Sequence, residues 1–308
     1  MRKFVFTLRF FILSSLLPSL ILAKSGFANS FNIKDLYFKN EKSFQVYINE
    51  NANISIYYEP QYKTLARDLK DRVREIHYIY EKLLGSPKDF NLTIKLIEQD
   101  KFFNITKVPN WINAIYFKKH IIFPIDDNIN NNKKIDIEFL KSLRHEYMHA
   151  FIYNLSHGNC ASWFDEGLAQ WAEGNTNPRL WEELENFLNE HNALSLSNLE
   201  RSYTTMPTYL VPVAYAESLF SVKYLIKNSD IKNFKKLFSL LNKGYAFNES
   251  FKCAFSESIE NFDNKISNIL YSWKISSKSN LNSKNFDEFI NFSTEDNFET
   301  IRAKMKLK

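Results

Sequence analysis

The hydrophobic positions along this chain change period part-way. Between residues 30 and 58 there are alternating stretches, with "SFQVYI" and "NISIYY" placing every second residue on one face, the pattern of half-buried strands. In "YKTLARDLKDRVREIHYIYEKLLG" the period lengthens: Leu65, Leu69, Val73, Ile76, Ile79, Tyr80 and Leu83 fall at helical spacing, and Gly85 and Pro87 end the run. "FNLTIKLIE" at 90–98 predicts a strand, and "INAIYFKKHIIFPI" at 112–125 predicts a strand pair or one bent strand. After the polar loop "DDNINNNKK" the pattern is helical almost to the end. Helices are expected in "DIEFLKSLRHEYMHAFIYNL", "WFDEGLAQWAEG", "WEELENFLNEH", "YLVPVAYAESLFSVKYLIKN" and "IKNFKKLFSLLNKG", then from "FNESFKCAF" to "ILYSW". Pro212 is tolerated near the start of its helix.

Only six glycines and eight prolines interrupt 308 residues, which favours long elements over a turn-rich sandwich. The first 23 residues stand apart. "MRK" is a basic start, and the apolar run after it, broken only by Arg9 and Pro18, has the form of a secretory signal peptide cut after Ala23 or Ala28. An uncleaved anchor is the alternative, although Arg9 leaves a stretch short for a span. The expectation is an extracytoplasmic protein, periplasmic or secreted, with no transmembrane span after cleavage. The formal net charge of +5 includes Arg2, Lys3 and Arg9, so cleavage after Ala23 leaves +2. The remaining charges are interspersed, which leaves nothing to support a nucleic-acid partner. Cys160 and Cys253 form one disulfide or remain two buried thiols.

The chemistry lies in "LRHEYMH" at 143–149. His145 and His149 stand one turn apart on the same helix face, where two imidazoles reach one zinc ion. Glu146 is rotated by about 100°, away from the ligand positions but within reach of a water at the metal, the arrangement that H-E-x-x-H provides for metalloproteases. Leu140, Leu143, Tyr147, Met148, Ile152 and Leu155 make most of the helix apolar, so it is expected to be buried, and buried His and Glu need partners. A catalytic zinc also needs a third protein ligand, and His157, Asp165, Glu166 and Glu173 all lie downstream. A second helix returning after "SHGNCAS" would bring its first residues to the metal, with Gly167 allowing close helix approach.

"HEYMH", sixteen intervening residues, and then the Glu of "WFDEGLAQW" resembles the gluzincin metallopeptidases, most nearly the bacterial peptidase MA-like group, distant from the thermolysin and aminopeptidase N type. The resemblance covers about residues 54 to 273. It implies one zinc ion per chain held by His145, His149 and Glu166, with Glu146 as general base. It also implies that Tyr215 of "VAYAESLFSVKYLI" polarises the scissile carbonyl, and that the strand at 112–117 takes the substrate backbone. Two positions depart from the pattern. Trp171 stands where the family often has Tyr. Gln170 stands where the thermolysin type carries an Asp that orients a zinc-bound histidine, so another group has to fix that ring.

The expected fold is α+β and zincin-like: a small mixed sheet, the active-site helix, and a mostly helical C-terminal half. The expected layout is a leader at 1–23, a metallopeptidase domain at 30–275 whose sheet half runs to about 134, and a polar tail at 276–308. The expected function is exported, zinc-dependent hydrolysis of peptide or protein substrates. The competing expectation is an inactive zinc-binding envelope protein serving as a scaffold. His77, His120 and His191 are expected to be structural or superficial.

Overall fold

The computed structural model describes residues 31–108, 112–126, 135–174, 178–201, 203 and 206–278. The expected leader and most of the expected polar tail lie outside them. The alternating segments form β1 (Lys42–Asn49) and β2 (Ala52–Tyr58), an antiparallel pair. Helix α1 (Lys63–Leu84) then carries the chain back to β3 (Phe90–Glu98), which runs parallel to β2. The remaining strands are β4 (Ile115–Phe117) and β5 (His120–Ile125), so "INAIYFKKHIIFPI" is a strand pair. Their two-residue turn puts Lys118 and Lys119 at φ of 46° and 64°, the left-handed geometry of a tight hairpin. The order is β1-β2-β3-β5-β4, with β3 and β5 parallel, so the sheet is mixed and β4 is an edge.

The period-2 pattern has the expected consequence. Ala52, Ile54, Ile56 and Tyr58 of β2 and Phe90, Leu92, Ile94 and Leu96 of β3 face a core shared with α1. On the opposite face Leu36, Ile97, Phe102, Ile115 and Ile122 form a second, smaller core. Part of its cover is a helix the sequence pattern did not predict, α2 (Gln99–Thr106), which begins directly where β3 ends. The remainder is the segment before β1, including a 3₁₀ turn at Ile33–Leu36. Lys95 of β3 also points to this face. It is fully buried, with its ammonium 2.8 Å from Glu41, hydrogen-bonded to the Leu36 carbonyl and 3.5 Å from the centre of the Tyr37 ring.

The C-terminal half comprises α3 (Ile137–Ser156), α4 (Ser162–Glu173), α5 (Pro178–Glu190), α6 (Val211–Asn228), α7 (Ile231–Asn242), α8 (Phe247–Phe255) and α9 (Ile259–Lys278). Asp136 caps α3 by accepting from Phe139 N at 2.8 Å. Twenty residues of helix later the chain leaves α3 through His157 and Gly158, both in the left-handed region, and doubles back into α4. Pro212 sits in the first turn of α6, where its missing N–H is harmless. Among the described residues, no helix is long and apolar enough to cross a membrane. Cys160 and Cys253 are free thiols, the first half-buried and the second exposed, so the pair is not a disulfide.

Candidate metal centre

Helix α3 is apolar almost all round because it is surrounded: α1, β3 and β4 lie on one side, α4 and α7 on the other. Its register is fixed by hydrogen bonds. Tyr80 of α1 donates to the Arg144 carbonyl at 2.8 Å, and His77 Nδ1 lies 2.7 Å from the Tyr147 hydroxyl. Arg144, buried, sends Nη2 to the carbonyl of Glu173 at 3.1 Å, which ties α3 to the end of α4. In α4 the first amides are also satisfied, by Glu200 and Leu199 carbonyls at 3.1 and 3.0 Å.

This packing brings His145, His149 and Glu166 together, with one ligand atom of each within 4.8 Å of the others. The two Nε2 atoms are 3.0 Å apart, and Glu166 Oε2 lies 3.9 Å from His145 Nε2 and 3.8 Å from His149 Nε2. All three side chains are buried.

The other sequence candidates for a third ligand take different places. Asp165 Oδ1 is 2.9 Å from Nδ1 of His149. Glu173 Oε1 is 2.5 Å from Nδ1 of His145, an ion-pair approach rather than an aligned hydrogen bond. Both carboxylates thus stand beside imidazole nitrogens, whereas Gln170 bonds to the backbone carbonyls of Glu166 and Tyr215. His157 ends α3 instead, exposed and 3.4 Å from Asn242 of α7. Seven residues separate Glu166 from Glu173, two turns on one helix face, and that spacing was the signal available for Glu173.

The donor set suits a cation. A proton on each Nδ1, the nitrogen nearest a carboxylate, leaves both Nε2 atoms as lone-pair acceptors facing each other across 3.0 Å. Neither oxygen of Glu166 has a hydrogen-bond partner. Its carboxyl is pushed well above the ordinary range, by burial first and then by the charges of Asp165, Glu146 and Glu173. Three convergent acceptors amid acidic groups make an arrangement that a divalent ion relieves. Tetrahedral zinc with ligands at about 2.0–2.2 Å sets donor separations of about 3.3–3.6 Å, within the 3.0 to 3.9 Å span seen here.

Glu146 is buried on α3 and its charge reaches both Glu166 and Tyr215. Tyr215 is buried on α6, its ring 5.3 Å from that of Tyr203. Burial, then the charges around it led by Glu166, push its phenol well above its usual value, so it stays a donor. Two devices of α4 hold α6 in place. Gln170 Nε2 donates to the Tyr215 carbonyl at 3.1 Å. Gly167 lies so close to α6 that a Cβ would sit 2.4 Å from the Ser218 carbonyl oxygen, so this glycine serves α4–α6 packing.

With this geometry stands one sequence-family match: the Peptidase MA superfamily model matches residues 98–272, more than half of the chain. The chain belongs to the Peptidase MA superfamily. This family segment starts at the end of β3 and takes in the hairpin, α3, α4 and Tyr215. A comparison with curated protein sequences found no match. Solved structures with a similar course include an M1 zinc metallopeptidase from Deinococcus radiodurans, at 12% identity and TM-score 0.41, covering 76% of this chain and 51% of that one. Aminopeptidase A of Legionella pneumophila, in complex with aspartic acid, is similar at 15% identity and TM-score 0.44, covering 76% and 27%. An aminopeptidase N family protein of Idiomarina loihiensis aligns at 9% identity and TM-score 0.41, covering 73% and 44%. This Peptidase MA chain thus spans about half the length, or less, of those structures.

Proposed function

We propose that this chain is an exported zinc-dependent metallopeptidase whose metal is held by His145, His149 and Glu166, one ion per chain, within a metallopeptidase domain at about 30–275. The observation that carries the reading is the orphaned Glu166 carboxylate converging with two imidazole acceptors whose other nitrogens face Asp165 and Glu173. When bound, zinc supplies Lewis-acid polarisation of a carbonyl and lowers the pKa of water to near 7.

The chain's own residues do the rest. Asp165 and Glu173 hold the imidazoles in the tautomer that presents Nε2. Glu146 takes the proton of the attacking water on its carboxylate and delivers it to the leaving amine. Tyr215 keeps its proton and donates a hydrogen bond to the developing oxyanion, a role worth about 10²–10³ in kcat where it has been dissected. Edge strand β4 offers unpaired backbone groups beside α3, where an extended substrate can add as a further strand. Export rests on the N-terminal pattern of a basic start and an apolar run.

Glu146→Gln tests the assignment. The variant should retain zinc, while chelator-sensitive cleavage of unfolded casein falls by about 10²–10⁴-fold. Cleavage at the wild-type rate would refute the base, and a chelator-insensitive wild-type activity would refute the metal.

A further inference from the structure

A cleft of about 480 Å³ opens beside the metal group, between the β4–β5 hairpin and the C-terminal half of α3. Its size falls among pockets of about 300–1,000 Å³ that enclose small ligands. His149 and Asp165 are among its lining residues, which sets it next to the metal group on the Nδ1 side of His149. One wall is Tyr116 and Phe117 of β4, extended by Lys118, whose ammonium lies 4.9 Å from the Phe117 ring centre. Facing it is Tyr153 of α3, half exposed, its ring 6.4 Å from that of Tyr116. The remaining surface is built of small residues: Ser156, Gly158, Cys160 and Ser162. Gly158 matters for the shape, since a Cβ there would meet the Tyr153 ring at 3.0 Å.

The charges select by sign. An acidic group beside Asp165 meets like charge, as does a basic one beside Lys118 and Lys119. Aromatic walls around a small-residue floor favour a large uncharged side chain.

We propose that this cleft is the specificity pocket of the site and that it takes a large aromatic or aliphatic side chain from a substrate residue flanking the scissile bond. The proposal rests on the peptidase reading and names its substrate class. Exchanging a methyl for a benzyl group in such a pocket changes transition-state binding by about tenfold or more.

The test uses matched alanine-based peptides in which one Phe is moved a position at a time. The zinc-loaded full chain reads kcat/KM with product mapping, and Glu146→Gln reads the Kd of the same peptides. We expect one position at which Phe over Ala gains tenfold or more in both readouts. Cys160→Phe, which fills the floor, and Tyr153→Ala, which strips one wall at a half-exposed site, should each reduce that ratio below threefold. Thermal unfolding checks that each variant is folded, and the Tyr153 variant decides the matter if the Cys160 variant is not. Cleavage with no preferred position, or a preference unchanged by both substitutions, would overturn the proposal. Tenfold discrimination in binding without any cleavage by the wild type would support the pocket and refute the peptidase reading.

Discussion

Two buried charges in this molecule are treated in opposite ways. Lys95, fully buried behind the sheet, has Glu41 at 2.8 Å, the Leu36 carbonyl as acceptor and the Tyr37 ring over its ammonium. Glu166, equally buried between helices, has no hydrogen-bond partner on either oxygen and acidic neighbours at Asp165, Glu146 and Glu173. The first region is complete as folded, because every demand of the ammonium is met within the chain. The second leaves its demand unmet within the chain, and a cation at the proposed site would meet it. Burial alone does not mark a functional charge; burial with unmet demand does.

Breaking the completed region should have the largest effect. Lys95→Ala leaves Glu41 beside an apolar core with its counter-charge gone, and should lower unfolding free energy by about 3–5 kcal/mol in denaturant titration, with zinc content unchanged. Zinc loss in that variant would mean that the two regions are coupled.

His77 shows a third treatment, a buried group kept neutral. Burial lowers its pKa from 6.5 to about 4, partly offset by Glu81. Between those values the unfolded chain binds more protons than the folded one. Stability is therefore whole above about pH 6.5 and falls as pH drops towards 4, by about 3 kcal/mol at most. His77→Phe should remove this share of the pH dependence, measured as the difference between the two proteins under chelation.

The smallest predicted effect concerns a partner rather than a ligand. Asp165→Asn removes the charge at His149 Nδ1 and should weaken zinc binding by about 10–100-fold without abolishing it. Complete loss would make Asp165 a ligand.

Much of this was legible in the sequence where the chemistry is local. The pairing of His145 with His149 depends only on helical pitch, and β3 coincides with "FNLTIKLIE" because its alternation and bounds are encoded within nine residues. Glu166 was singled out by resemblance to a family pattern, not by spacing alone. What depended on packing between elements was not legible. Asp165 and Glu173 act on imidazoles of another helix, and their roles follow from how α4 lies against α3. Gln170 looked like a lost orienting group, yet its side chain serves the α4–α6 contact at Tyr215. Gly167 was expected to allow close helix approach, and the helix it meets is α6. Helix α2 was missed because it starts without a side-chain cap directly at the end of a strand, so neither punctuation nor period announces it. Nor does a lysine inside an alternating strand reveal that residues before β1 will cover it.

Everything proposed for this chain turns on Glu166 as the third ligand of a metal site. The direct measurement is zinc stoichiometry and affinity by calorimetry on the purified chain, wild type against Glu166→Gln, with unfolding of the zinc-free forms followed in parallel. One zinc per wild-type chain, lost in the variant, with the zinc-free variant at least as stable as the zinc-free wild type, is the predicted result: neutralising an orphaned carboxylate relieves its crowding. Undiminished zinc binding by Glu166→Gln would mean that Glu166 is not a ligand.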